Sequence, residues 1–562
     1  MQRRPPQSAQ DMSVITLIRS EGQGQLSRIF AAATLAGLAN ALILALINLT
    51  VEHSGALSLG LFLGLIAASI LYVLGARYTY SAVTRIFETA LHKTKLRIIT
   101  KIEHADLEQL EAIGRTAVRE RLMSNAVIVS GAAEAVAAFL QCSCVLIATS
   151  LYIAWLSWPA FLMLLLVCLG LRAWYRSRDE RLRSSLRRLA QYRVDLFGAL
   201  TDLLRGFKAV KLSPALRREL AADIDRVSGR LGQSNQQFFH VFNDNWIALE
   251  SWRCVLLGAV VFVVPLHATS ESIELHKLVA ALLFFFYPLS SNVLNIPSYV
   301  RVNEALTQLR DLEAELDAAR RPQADEPQAF PGQLQTLEAQ GLTFSYRASA
   351  GESAFRVGPI DLTIPAGSVL FIVGGNGSGK STLLKLLTGL YRPTAGTLRV
   401  NGSVVGPEHV IAYRELFSAI FSDFHLFERL YGLGDAADET VQQLLRELRL
   451  DGKVSVGSDG TLPQNLSTGQ RKRLAMLVAL LEDRPVYVFD EWAADQDPEF
   501  RRYFYEDVLT RLRQAGKTVI VVSHDDHYFH CADQIVRMDY GVLRSLQREG
   551  QREEASPGGE PA

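Results

Sequence analysis

Long stretches without a single charged residue set the first limit on how this chain can fold. They run over Ile29–Val51, Ser54–Ala76, Ala135–Leu171, Cys254–Ser270 and Leu278–Val300. About 20 apolar residues cross the hydrocarbon of a bilayer as a helix, and such a helix satisfies its own backbone hydrogen bonds where no water is present. Ala135–Leu171 is long enough to cross twice, with a turn at Ser157-Trp158-Pro159. Cys254–Ser270 is short, but Glu250 and Arg253 lie one helical turn apart and can pair to extend that helix. The expectation is six membrane-spanning helices, the fifth being the least strongly marked.

Charge in the connecting segments orients them. Arg77–Arg121 carries Arg77, Arg85, Lys93, Lys95, Arg97 and Lys101, and Arg172–Arg230 carries Arg181, Arg183, Arg187, Arg188, Arg217 and Arg218. The short segments Glu52–Ser54 and His267–Lys277 carry Glu52, Glu271 and Glu274 instead. By the positive-inside rule the long basic segments are cytoplasmic, and an even number of spans leaves both termini there. Those segments are helical in pattern with few turn signals, so they extend the membrane helices into the cytoplasm. Solvated polar hairpins would share the pattern; a role in coupling the membrane helices to a cytoplasmic motor is the reading preferred here. The first apolar run is too long for the core of a cleavable signal and lacks a small-residue cleavage site. Residues 1–28 are therefore expected to be a cytoplasmic segment, disordered over Met1–Gln10, and the tail from Arg548 to Ala562 is expected to be disordered as well.

At 562 residues the chain requires at least two domains. Its 58 basic and 58 acidic residues balance, which argues against a dedicated nucleic-acid binder. The five cysteines form neither a zinc pattern nor a disulfide framework, in keeping with a reducing compartment. A Pro-rich, charged linker at 320–332 separates the apolar region from a segment of different chemistry. There the runs Val369–Val373, Val486–Phe489 and Val519–Val522 alternate with helical stretches, as strands buried on both faces of a parallel sheet do.

The strand Val369–Val373 leads directly into Gly374-Gly375-Asn376-Gly377-Ser378-Gly379-Lys380-Ser381 and then a helical Thr382-Leu383-Leu384. This is a phosphate-binding loop in strand–loop–helix context: the glycines let backbone N–H groups wrap the phosphates of ATP, and the helix N-terminus favours the anion. Lys380 is expected to reach the β/γ-phosphates, and Ser381 to ligate Mg²⁺. Val486-Tyr487-Val488-Phe489-Asp490-Glu491 is a strand ending in two acids, Asp490 suited to holding Mg²⁺ and Glu491 to polarising the attacking water.

Leu466-Ser467-Thr468-Gly469-Gln470, followed by a basic helical stretch, resembles the ABC signature, with Thr468 where that family usually has Gly. The resemblance implies that Ser467, Gly469 and Gln470 address the γ-phosphate bound by a second subunit, so the chain works as a dimer, most simply a homodimer. It also implies roles for Tyr346 (stacking on adenine), Asp497 (the D-loop acid touching the partner) and His524 (the switch histidine at the γ-phosphate). Where exporters of the family usually place a Gln for the metal and the attacking water, this chain has Ser422 or Asp423, of which Asp423 is the candidate metal contact. His527 and His530 are spaced to share a helix face, but no second ligand cluster accompanies them and they read as solvated surface.

Over about Ile29 to Leu546 the layout resembles ABC exporters: an α membrane domain (29–319) joined by the linker to an α/β P-loop NTPase domain (333–547), with the tail at 548–562. Asp490-Glu491-Trp492-Ala493-Ala494-Asp495-Gln496-Asp497-Pro498 is similar to the exporters of cyclic peptides and peptide siderophores, of the pyoverdine and syringomycin type. That resemblance implies ATP-driven, alternating-access export of a cyclic or nonribosomal peptide, a siderophore precursor or lipopeptide, across the bacterial inner membrane to the periplasm. Lipid or multidrug export, or siderophore import on the same architecture, would share every motor motif. Glu134, the lone acid at the start of a span, is expected to line the substrate path; a buried structural pair and a place in the aqueous extension stand beside that expectation.

Overall fold

The computed structural model describes residues 25–52, 59–263, 275–319, 330, 332–346, 355–433, 438–457, 459–463 and 465–545. The expected disordered ends at 1–10 and 548–562, most of Glu52–Ser54 and His267–Lys277, and nearly all of the 320–332 linker lie outside those residues. The chain divides into two compact units, Met1–Glu103 with Ile113–Ala318, and His104–Ala112 with Ala319–Ala562.

The first unit is helical: α1 (Leu26–Glu52), α2 (Leu59–Glu103), then, after a short α3 (Leu107–Ile113) that belongs, all but its last residue, to the second unit, α4 (Arg115–Leu156), α5 (Trp158–Arg205), α6 (Phe207–Leu212), α7 (Pro214–Phe262), α8 (Leu275–Leu294) and α9 (Ile296–Ala318). Six helical segments among the described residues are long and apolar enough to cross a membrane, α8 and α9 together forming the sixth; the fifth, on α7, is the least hydrophobic, and Glu250 and Arg253 pair within it. The turn read at Ser157-Trp158-Pro159 is present. Ser157 caps α5 by accepting from the Ala160 N–H, and a proline follows within the first helical turn, where its missing N–H costs nothing.

Small residues set the helix spacing in this unit. A Cβ on Gly37 would lie 2.8 Å from the Cys144 backbone, and one on Gly75 would lie 2.9 Å from the Ala32 carbonyl. Glycine at these positions lets α1 approach α4 and α2 closely, which is how helices pack where lipid offers no hydrophobic driving force. Beyond the apolar spans the helices run on as basic and acidic rods held by ion pairs. Arg97 meets Glu313 at 2.8 Å, Lys101 meets Asp317 at 2.7 Å and Arg121 meets Glu315 at 2.9 Å. The long basic segments are thus mainly helical, the first interrupted after Glu103 and at Gly114 around the short α3, the second at Gly206 and Ser213 around the short α6.

The second unit holds two sheets. Strands β1 (Thr336–Ser345), β2 (Arg356–Pro365), β3 (Val369–Val373), β4 (Ala395–Val400), β5 (Ser403–Val404), β6 (Phe417–Ile420), β7 (Val486–Asp490), β8 (Thr518–Val522), β9 (Gln534–Asp539) and β10 (Val542–Ser545) alternate with helices. These include α10 (Lys380–Leu387), α11 (Val410–Arg414), α12 (Asp438–Glu447), α13 (Thr468–Glu482), α14 (Pro498–Tyr503) and α15 (Leu509–Gln514). An antiparallel sheet runs β2-β1-β4-β5, and a mainly parallel one runs β10-β9-β3-β8-β7-β6. Every residue of β3, β7 and β8 is buried, alternating between two cores: Phe371, Tyr487 and Phe489 face one, and Leu370, Val486 and Val488 the other. Burial on both faces is why these strands read as unbroken apolar runs.

Candidate functional site

The parallel sheet fixes the geometry of the site because β3, β8 and β7 are neighbours and release their chains at the same edge. Ligands of open α/β sheets bind at that carboxyl edge. In the register, Asp490 at the end of β7 faces Val522 at the end of β8, two residues before His524. The P-loop leaves β3 and feeds α10. Its glycines are required: Gly374 and Gly379 have φ of 148° and 104°, and a Cβ on Gly374 would stand 2.3 Å from the Met538 carbonyl. Gly377 is also left-handed, Asn376 is exposed, and the buried Ser378 hydroxyl has no hydrogen-bond partner among the described residues.

Lys380 begins α10 and curls back, its ammonium donating to the Gly374 and Gly375 carbonyls at 2.9 and 3.0 Å. Burial holds this lysine below the usual range, with Glu491 and Asp490 opposing the shift. Glu491 Oε1 lies 3.8 Å from the Lys380 ammonium and 3.2 Å from His524 Nε2. The five groups placed by sequence, Lys380, Ser381, Asp490, Glu491 and His524, therefore converge. Glu491 itself has a left-handed backbone, φ 50° and ψ 33°, a conformation that costs a non-glycine residue roughly 1 kcal/mol or more and that gathers at working sites.

Asp490 is buried. Its Oδ2 accepts from the Ser381 hydroxyl at 3.2 Å and from the Ser422 N–H at 3.4 Å, while Oδ1 has no hydrogen-bond partner among the described residues. Burial pushes the Asp490 carboxyl above its ordinary range, partly offset by the Ser422 and Ser381 hydrogen bonds. A hydroxyl beside a carboxylate with an unused oxygen is a hard-oxygen donor set that fits Mg²⁺. At the departure from the usual Gln, the Ser422 backbone N–H donates to Asp490, and both Ser422 and Asp423 are exposed.

The Tyr346 hydroxyl is hydrogen-bonded to Thr382 at 2.9 Å, and its ring packs among Phe344, Phe355 and Tyr391, which places an aromatic face beside the P-loop helix. Ser467 and Gln470 cap α13 reciprocally, so the Gln470 amide is turned to the Ser467 backbone. A Cβ on Gly469 would approach the Asp495 carbonyl to 3.2 Å, a tight contact. Asp497 caps α14, accepting from the Phe500 N–H at 2.9 Å, and this bond together with Arg473 holds its carboxyl below the usual range. His527 and His530 lie on a short turn, and no cluster of three or more metal-ligating side chains occurs among the described residues.

Sequence reasoning passed over two further groups. Glu111 on α3, within the second unit, receives the Lys385 ammonium at 3.0 and 3.2 Å and the Tyr391 hydroxyl at 2.5 Å. Lys472 is buried on α13, on the helix face it shares with Met476 and Ala479, while Leu474 is buried on the opposite side. The unbroken apolar run Leu474–Leu481 that follows has no helical periodicity to mark Lys472 as core-facing.

The first unit contains a cavity of about 1910 Å³. Five arginines line it (Arg119, Arg121, Arg187, Arg193 and Arg301) against the two glutamates Glu120 and Glu304, with Phe238, Phe239 and Phe242 supplying apolar wall. Glu134 is exposed and is not among the residues lining this cavity.

With this geometry in place, comparison with known proteins is decisive. The family model described as "ABC transporter" matches residues 357–494, which span the P-loop, the signature and the acidic strand. The "ATP-binding protein SyrD" of Pseudomonas syringae pv. syringae is 32% identical over 515 residues, covering 87% of this chain and 88% of that one. The chain belongs to the ABC transporter family. The "ATP-dependent lipid A-core flippase" of Xylella fastidiosa is 26% identical, over 88% of this chain and 85% of the relative. The "Mycobactin import ATP-binding/permease protein IrtA" of Mycobacterium tuberculosis is 33% identical over a shorter stretch, 40% of this chain and 26% of that protein. The fold is that of an ABC exporter, and the chain is an ATPase coupled to transmembrane transport. It is a multi-pass inner-membrane protein whose ABC domain is cytoplasmic, and it has the layout of a half-transporter, with one membrane domain and one ABC domain.

Proposed function

We infer that this chain forms a homodimer that exports a cyclic or nonribosomal peptide, a siderophore precursor or lipopeptide, from the cytoplasm to the periplasm. The observation that carries the substrate class is the cavity. At about 1910 Å³ it exceeds the roughly 300–1,000 Å³ that serves a drug-sized ligand, and its arginines and aromatic rings suit a large molecule with both polar and apolar faces. The Trp492-Ala493-Ala494-Asp495-Gln496-Asp497 stretch points to the same branch of exporters. Export of a lipid is the second reading, favoured by the flippase relative and by the same excess of arginine over glutamate.

In the proposed cycle each chain contributes its P-loop, Asp490 and Glu491 to one ATP and the N-terminus of α13 to the ATP of the other chain. The P-loop N–H groups and Lys380 bind the phosphates. Ser381 and Asp490, with Ser422 beside them, would hold Mg²⁺, which supplies charge neutralisation at the phosphates when bound. Glu491 orients and polarises the attacking water, and His524, paired with Glu491, reaches the γ-phosphate. ATP drives the outward-facing state only through contacts made more strongly there than in the inward-facing one, namely those across the dimer. The α3 segment then serves as a link from membrane helices to motor.

The test is ATP-dependent uptake into sealed inside-out vesicles containing only this protein, offered a purified cyclic lipopeptide and, separately, a labelled lipid. Uptake of the peptide supports the reading. Lipid translocation without peptide uptake replaces it with the flippase reading, and movement out of the vesicle lumen makes the protein an importer.

A further inference from the structure

The helix that begins at the signature and the loop that carries the catalytic glutamate are stitched together in one chain. The buried Lys472 ammonium donates to the main-chain carbonyl of Glu491 at 2.9 Å and pairs with Asp495 at 2.7 Å. In return the indole N–H of Trp492, itself 1% exposed, donates to the Lys472 carbonyl at 2.9 Å. One residue further on, Arg473 donates to Gln496 at 2.8 Å and lies over the Phe500 ring at 3.7 Å, while the Gln496 amide reaches the Gly469 carbonyl at 3.3 Å.

We propose that Lys472 is a positioning residue for hydrolysis: it holds the left-handed turn at Glu491 and thereby couples the two ATP sites of the dimer. Glu491 departs from β7 with φ 50°, a conformation that must be imposed by its surroundings, and Lys472 grips the carbonyl of that same residue. The direction of its carboxylate, 3.2 Å from His524 and 3.8 Å from Lys380, follows from this turn. Lys472 sits little more than one turn from Ser467, on a helix whose first residues are fixed by a capping box. A shift of that N-terminus, when it engages nucleotide on the partner subunit, moves Lys472 as part of a rigid helix and so moves Glu491 at the chain's own nucleotide. Closure at one site therefore aligns the carboxylate at the other. A simple structural ion pair would explain Asp495 but not the choice of a catalytic residue's carbonyl as the second acceptor.

The inference rests on the dimer reading above, and the experiment separates the two. Full-length protein in lipid nanodiscs is assayed for ATP hydrolysis as the parent, Lys472→Met, Lys472→Arg and Asp495→Asn, with thermal unfolding of each. Lys472→Met is expected to lower kcat by about ten- to a hundredfold, as misorientation of a catalytic group does, with little change in KM for ATP. Its Hill coefficient for ATP should fall towards one. Lys472→Arg, which can span the same carbonyl and carboxylate, should regain most of kcat. Should Lys472→Met not fold, Asp495→Asn carries the test: it leaves the lysine stem in place but frees the ammonium from one partner, and it should show a smaller kcat loss with the same unchanged KM. Unchanged kcat in Lys472→Met overturns the proposal. So does a loss shared equally by Lys472→Arg and tracking a lowered unfolding temperature. A parent with a Hill coefficient of one counts against coupled sites and the dimer reading, and leaves the KM-against-kcat split to decide the positioning role.

Discussion

If α3 transmits motion to the motor, the strength of its attachment sets how tightly hydrolysis and transport are linked. The attachment centres on Glu111, which accepts from the Lys385 ammonium on the P-loop helix and from the Tyr391 hydroxyl. Burial and the Glu111 hydrogen bond push the Tyr391 phenol well above its usual range, so it remains a donor at any physiological pH. Side-chain exposures of 20% and 28% put the Lys385–Glu111 pair between two regimes. Exposed pairs contribute roughly 0–1 kcal/mol, and breaking a fully buried pair costs about 3–5 kcal/mol. An intermediate value of about 2 kcal/mol corresponds to roughly a 30-fold shift towards detachment when Glu111 is truncated. Glu111→Ala is therefore expected to keep basal ATPase activity, because none of the P-loop, Asp490 or Glu491 contacts is lost, while substrate moved per ATP falls by up to that factor. Glu111→Gln, which still accepts from Tyr391, should lie between. The assay is transport and phosphate release measured together in proteoliposomes, with a double-mutant cycle against Lys385→Met. An unchanged ratio of transport to hydrolysis in Glu111→Ala, or strictly additive single mutants, would refute the reasoning.

Trp492→Ala removes an indole packed 4.7 Å from Phe504 together with the N–H that donates to the Lys472 carbonyl; it should cost about 3–5 kcal/mol, against about 1–2 kcal/mol for Trp492→Phe, which loses mainly the donor. Calorimetry of the full chain should show the larger shift for alanine, and equal shifts would contradict the packing account. Because burial raises the Asp490 carboxyl, and Mg²⁺ needs it ionised, Mg²⁺ affinity should decline as pH falls while still above the ordinary carboxylate value of about 4. Titration calorimetry with a non-hydrolysable nucleotide checks this, with Asp490→Asn showing weak binding and a flatter pH profile. Glu491→Gln should lower kcat by about 10²–10⁴-fold while ATP binding persists; hydrolysis at the parent rate would remove Glu491 from the proposed role.

Much of the protein was legible in local stretches of chain. A segment such as Ile29–Val51 has no alternative to a membrane helix, because its length and lack of charge leave no other way to satisfy its backbone. The P-loop could be read because backbone wrapping demands glycine at fixed positions, and Gly374 and Gly379 do have the φ values that demand it. Asp490 and Glu491 announced themselves as acids after an apolar strand. Tertiary structure decided which side chains meet. Glu111 and Lys385 are 274 positions apart, and no periodicity in either helix names the other. It brought Ser422 to Asp490 through a backbone N–H that has no signature in residue type. It left Glu134 exposed on α4, outside the lining of the cavity. It also gave Lys472 its partner, since the acceptor is a main-chain carbonyl that every residue possesses. Residue type fixes what chemistry a group can do, while orientation and pairing come from packing elements that are distant in sequence.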